Sequence, residues 1–239
     1  LEKHQLQRVA QDPGVAKASI RDLGAYAATG ANAATTVAAT AYLASLAGIQ
    51  VFATGGIGGV HRGASTTMDV SADLRALGRT AIAVVSAGAK AILDLGCTLE
   101  VLETEGVPVI GYCSDDFPAF YTRSSGHQVV QRIDSIQTLA RLCANHWSIG
   151  LTQSVLVCNP IDCADEIPRA QVESWTETAL KEAEDKGVKG KALTPFILGR
   201  LLSLSGGLTL IANRSLALGN ARLAGQLAVA LASLEDSTG

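Results

Sequence analysis

Aromatic residues make up only 4% of the 239-residue chain, too few for the stacking surface that single-stranded nucleic acid demands. Nor is there an excess of basic charge. Nineteen Lys and Arg stand against 22 Asp and Glu, a net charge of −3, so no electrostatic footprint for nucleic acid is visible. Charged residues are sparse at 17% and hydrophobic ones reach 48%, which excludes a disordered, solvating chain. The five cysteines (Cys97, Cys113, Cys143, Cys158 and Cys163) contain no CxxC pair. Neither a disulfide framework nor a zinc site is encoded, and the cysteines read as small buried hydrophobes. No unbroken run of about 18 apolar residues occurs, and the opening LEKHQLQRVAQD carries no apolar signal core. These absences point to a soluble chain in a reducing compartment, the cytoplasm, with neither membrane nor nucleic acid as partner.

What is present is an alternation of short β-rich runs and longer segments of helical period, the pattern of a mainly parallel sheet flanked by helices. The expected strands are Gln50–Thr54, Ala81–Ser86, Pro108–Tyr112 and Ser154–Cys158. Helices are expected over Asn32–Ala47, Ser71–Arg79 with Ser71 as cap, Lys90–Glu105 and Asp134–Trp147. Further helices follow over Ile167–Lys186, after Thr194-Pro195 as cap and first turn, and over Leu210–Leu234. With no linker or repeat, residues 1–239 read as a single α/β domain.

Several segments carry chemical possibilities. Thr54-Gly55-Gly56-Ile57-Gly58-Gly59 follows a strand, where glycines let backbone approach an anion. It fits a plain turn equally well. It matches neither G-x-G-x-x-G nor a P-loop, so a nucleotide-cofactor reading fails on spacing. His61 and Arg62, just beyond, offer donors to a phosphate or form a solvated pair. Asp69 and Asp73, with Ser71 between them, suit a hard divalent cation or sugar hydroxyls, or serve as helix caps.

Lys90, in Ser86-Ala87-Gly88-Ala89-Lys90, stands at a strand-to-helix turn where burial and the positive end of a helix both favour the neutral amine. A neutral amine is a nucleophile toward a sugar carbonyl; a snorkelling lysine is the alternative. Lys17 binds phosphate or charges an edge strand. Thr35 and Thr36 put hydroxyls near a helix start beside Val37. Asn213 lies within an otherwise apolar helix, where a buried amide demands partners, so it makes either a fold-specifying hydrogen bond or a ligand contact.

The strings VFATGGIGGVHRGASTTMDVSADL, AVVSAGAKAILDLGCTLEVLETEGVPVIGY, DDFPAFYTRSSG, CNPI and KGKALTPF closely resemble the pseudouridine-5′-phosphate glycosidase family, also called the indigoidine synthase A family. The likeness runs from about position 13 to the last helix. It implies reversible cleavage of the C–C glycosidic bond of pseudouridine 5′-phosphate to uracil and ribose 5-phosphate by an α/β homotrimer that uses a divalent metal, usually Mn2+. It gives Lys90 as the covalent nucleophile at C1′ and Asp69 as the metal anchor, partly through water. Lys17, Thr36, Val37, Ser71, Ala72 and Asp73 correspond to substrate-binding positions, and His61 and Asn213 to residues near the phosphate.

The family's proton donor, a glutamate in a motif resembling ALESTIISHG, has no counterpart in residues 1–239, and Glu2 lies in the wrong motif to replace it. The expectation is a family member lacking its N-terminal segment. The alternative is a non-catalytic subunit that keeps the sugar-phosphate pocket.

Overall fold

The computed structural model describes residues 2–12, 14–188 and 190–236. Helix α1 (Lys3–Gln11) leads into strand β1 (Ala16–Ala18), helix α2 (Leu23–Thr29) and strand β2 (Ala33–Thr35), which pairs in parallel with β1. Helix α3 (Val37–Leu46), strand β3 (Val51–Ala53), strand β4 (Val60–His61) and helices α4 (Ala64–Thr67) and α5 (Ala72–Leu77) follow. Next come strand β5 (Ala83–Ser86), strand β6 (Leu93–Asp94), helix α6 (Leu95–Thr104), strand β7 (Val109–Tyr112) and strand β8 (Gln131–Ile133). Helix α7 (Ile136–Ser148), strand β9 (Val155–Cys158) and helices α8 (Arg169–Asp185), α9 (Leu193–Leu204) and α10 (Leu208–Asp236) complete the chain.

The central sheet runs β3-β5-β9-β7-β8, with every pairing parallel, as expected of the alternating pattern. Each residue of β5 and β9 is buried, because helices cover both faces and every side chain needs an apolar partner. Ala83, Val85, Val155 and Val157 pack with Leu139 and Cys143 of α7 and Leu223 and Leu227 of α10. Val84, Leu156 and Cys158 face the other way, into a cluster with Leu74 and Leu77 of α5, Leu102 of α6 and Ile197 and Leu201 of α9. Burying each such side chain contributes about 1.5–3 kcal/mol. Among the described residues no single helix is long and apolar enough to cross a membrane.

Four expectations are corrected. The segment Asn32–Ala47 is not helical throughout: Ala33–Thr35 pairs with β1, and the helix starts only at Val37, where Thr36 Oγ1 accepts the Ala39 N–H. Tertiary pairing overrides alanine's helix propensity there. The segment from Lys90 is a turn and the short strand β6, and α6 begins at Leu95 under an Asp94 cap. Thr194 is not a cap, since α9 continues from a 3₁₀ turn over Gly190–Ala192 and starts at Leu193. Only Cys143 and Cys158 are buried; Cys97, Cys113 and Cys163 are exposed. Cys97 and Cys163 lie in a helix's first turn and a loop, where no apolar neighbour layer covers them.

Candidate functional site at the strand ends

Strands β3 and β5 are neighbours, and the chains leaving their carboxyl ends stay zipped together. Thr54 N donates to Val85 O at 3.0 Å, Ala87 N to Gly55 O at 3.0 Å, Ile57 N to Gly88 O at 3.0 Å and Lys90 N to Ile57 O at 3.2 Å. The glycine loop therefore continues the sheet. Its Ile57 and Gly58 N–H groups already have acceptors, so those two are not free to cradle an anion.

The glycines answer to close approach. A Cβ at Gly56 would lie 2.5 Å from Phe120 Cδ2, one at Gly58 would lie 2.3 Å from Ser71 Oγ, and one at Gly59 would lie 2.4 Å from Thr98 Oγ1. Gly88 turns with φ +73°, and a Cβ there would meet Pro118 O at 2.0 Å. These contacts admit no side chain.

The loop and the Lys90 turn open onto a cavity of about 1000 Å3 at the strand ends, the place where open α/β sheets bind ligands. Lys17, Thr36, Val37, His61, Asp69, Ser71, Ala72, Asp73, Lys90 and Asn213 all line it. The sequence-derived residues thus converge from five elements and their flanking turns. Arg62 does not join them; it faces a different cavity.

Lys90 is half-buried, and burial pushes its pKa below the ordinary lysine value. Asp73 opposes that shift by attraction, and Lys17 adds to it by repulsion. The helix-end contribution expected from sequence is absent, because Lys90 precedes α6 by several residues. Desolvation does that work instead.

Asp73 is 5% exposed. Its Oδ1 accepts the Ala38 N–H at 2.9 Å and its Oδ2 the Gly58 N–H at 2.8 Å, so one carboxylate ties the first turn of α3 to the glycine loop. Ser71 caps α5, its Oγ accepting the Asp73 N–H. Asp69 is different. Its backbone is engaged with His61 and Thr67, while its half-buried carboxylate accepts no hydrogen bond from a described residue. Among the described residues no group of three or more His, Cys, Asp or Glu could hold a metal ion. A hard cation anchored here would take one protein carboxylate and fill its shell with water and ligand oxygens, a mode that Mg2+-like ions tolerate.

Asn213 is not a buried amide. It is exposed to the cavity, its Oδ1 near Gly55, because the first third of α10 leaves that face uncovered. The buried amide of α10 is Asn220, fully enclosed, which donates to Thr54 O at 2.8 Å and accepts from Asn159 Nδ2 at 3.0 Å. The reasoning applied to Asn213 finds Asn220 equally well, and it also explains the CNPI string that carries Asn159. Phe120, in the left-handed region at φ +64°, donates its N–H to Ala87 O and packs against Gly55 and Gly56. Only the DDFPAFYTRSSG string hints at it, since backbone strain leaves no mark in composition.

A parallel α/β sheet with two zipped loops that bring a desolvated lysine to a large cleft at the strand ends has the form of a small-ligand-binding protein. The chain belongs to the family described as "Indigoidine synthase A like protein", whose model matches residues 1–230. It is 52% identical over 231 residues to the pseudouridine-5′-phosphate glycosidase of Solibacter usitatus, covering 97% of this chain and 77% of that one. The enzyme of the same name from Geobacillus kaustophilus is 50% identical over 228 residues, 95% and 76% of the two chains. The crystal structure of the prealnumycin C-glycosynthase AlnA in complex with ribulose 5-phosphate superposes with a TM-score of 0.92 at 42% identity, over 99% of this chain and 78% of that one. An indigoidine synthase A-like protein from Thermotoga maritima gives 0.89 at 37% identity, over 97% and 76%.

Proposed function

We propose that this protein is a pseudouridine-5′-phosphate glycosidase that reversibly cleaves the C–C bond between uracil and ribose 5-phosphate. The observation that carries the reading is Lys90: a desolvated amine on the floor of a cleft large enough for a nucleotide. A C-glycoside has no glycosidic heteroatom to protonate, so the usual acid-assisted departure is closed to it. The Lys90 amine instead bonds to C1′ as the bond from C1′ to the ring oxygen opens and that oxygen takes a proton; the Lys90 nitrogen lone pair then forms an imine at C1′ while the electron pair of the breaking C–C bond stays with the uracil carbon, which takes a proton. Water then releases ribose 5-phosphate from Lys90.

The remaining residues bind and orient. Lys17, His61 and Asn213 provide charge and donors for the phosphate end. Thr36, Val37, Ser71 and Ala72 line the sugar, and Asp73 fixes the loop on which they converge. Asp69 would anchor Mn2+, which would supply Lewis-acid charge for substrate oxygens. The working assembly is a homotrimer in the cytoplasm; exposed Leu210, Ile211, Leu218 and Val229 on α10 support self-association.

A second reading is a form that binds sugar phosphate without cleaving the nucleotide. One experiment separates the two. Ribose 5-phosphate with cyanoborohydride labels Lys90 under either reading, and Lys90→Ala abolishes the label; uracil release from pseudouridine 5′-phosphate occurs only under the first. Label on another lysine refutes both.

A further inference from the structure

The ribbon of β4 and β6 walls the Lys90 cavity, and behind it lies a second cavity of about 310 Å3. Leu93 lines both, and the neighbours His61 and Arg62 divide between them, Arg62 facing the second. The polar groups there have unused capacity. Thr122 is only 4% exposed and lines the cavity with a hydroxyl that makes no hydrogen bond to a described residue. Ser125, 3% exposed, accepts the His127 N–H at 3.2 Å, which leaves its own proton to donate.

The cationic groups are similarly placed. The Arg62 guanidinium and the His127 ring have no hydrogen-bond or ion-pair partner among the described residues. Arg169 uses Nε on Glu173 Oε1 at 2.8 Å, and its Nη1 lies over Gly126, where a Cβ would come within 2.8 Å. Two carboxylates share the wall: Asp94, which caps α6 through Cys97 N, and Glu173. Guanidinium forks match phosphate oxygens, hydroxyls and imidazole complete such a shell, and carboxylates accept from sugar hydroxyls. The volume sits at the lower end for small-ligand pockets.

We propose that this cavity is a second binding site, separate from the Lys90 cleft, for a small polyhydroxylated phosphate monoester. Calorimetric titration with ribitol 5-phosphate tests it, since that probe has no carbonyl to react with Lys90. The expected result is two bound equivalents: one in the Lys90 cleft that Lys17→Met removes, and one whose affinity falls at least about 10-fold in Arg169→Leu and in His127→Leu, the range for losing a charge-assisted hydrogen bond, and stays unchanged in Lys17→Met. If Arg169→Leu fails to fold, His127→Leu decides, because its ring supports no other side chain. Absence of binding, binding insensitive to both variants, or binding lost entirely with Lys17→Met overturns the proposal.

Discussion

Replacing Asp73 by asparagine separates the two jobs that its carboxylate performs. Both oxygens accept buried backbone N–H groups, at 2.9 and 2.8 Å. Asparagine keeps one acceptor and turns an NH2 group toward the other N–H, so one bond is lost and one donor is stranded. A hydrogen bond to a charged group contributes about 1.5–3 kcal/mol and a stranded buried donor costs about 1–3 kcal/mol; because the two overlap, the expected loss is about 3 kcal/mol. In a chain of this size each kcal/mol moves Tm by about 2–4 °C. Asp73→Asn should therefore melt about 6–12 °C below wild type. The same change removes the attraction that favours the charged Lys90, leaving burial and Lys17 repulsion unopposed. The Lys90 pKa falls further, and the pH midpoint of cyanoborohydride trapping with ribose 5-phosphate moves down. Melting followed by circular dichroism and trapping rates across neutral to alkaline pH give both readouts. An unchanged Tm, or a midpoint moving upward, would refute the assignment of Asp73 as brace and counter-charge.

Gly88→Ala should cost more than about 3 kcal/mol, the left-handed penalty of about 1–2 kcal/mol plus displacement of Pro118 O. Gly30→Ala, left-handed with open space around it, should lose only about 1–2 kcal/mol by chemical denaturation; equal losses would contradict the packing argument. Asn220→Ala removes two good hydrogen bonds of about 1 kcal/mol each and should lower Tm by about 4–8 °C while raising KM, a split that steady-state kinetics resolves. Lys90 binds its proton less tightly folded than unfolded, so between its lowered pKa and about 10.4 the unfolded chain holds more protons and stability rises with pH. Lys90→Met should flatten that rise in denaturant midpoints, and parallel pH curves would count against a desolvated amine. Iodoacetamide should reach Cys97, Cys113 and Cys163 in the native protein, whereas Cys143, its thiol pushed up to about 12 by burial, and Cys158 should alkylate only after unfolding, as peptide mass mapping will show.

The parallel sheet was legible because its central strands are continuous apolar runs, and both-face burial leaves that signature. Strand β8 was not, since Gln131–Ile133 is polar and two of its three residues are exposed; it joins by backbone pairing with β7, which sequence does not advertise. Strand β1 was legible as the strand-like run around Lys17, whereas its partner β2 was hidden, Ala33–Thr35 being read as helix until the neighbouring strand pairs with it. Residues lining the cleft were found through motif likeness more than spacing. Spacing alone left Asp69 and Asp73 as possible caps, and the structure shows how different they are: one braces the loop with both oxygens, the other offers its carboxylate to the cavity.

The lowered pKa expected of Lys90 is found, but partly for another reason than the helix end, and the difference bears on what the site can tolerate. A helix N-terminus would have acted on the amine through aligned dipoles, fading within a turn and insensitive to what fills the cleft. Burial acts otherwise. Burial and repulsion from Lys17 lower the amine's pKa, and Asp73, held by Ala38 and Gly58, opposes them. A phosphate drawing Lys17 toward itself would weaken the repulsion, and a sugar covering Lys90 would deepen the desolvation. These effects oppose one another, so the protonation of Lys90 depends on what occupies the cleft, which a dipole fixed in a distant helix would not permit.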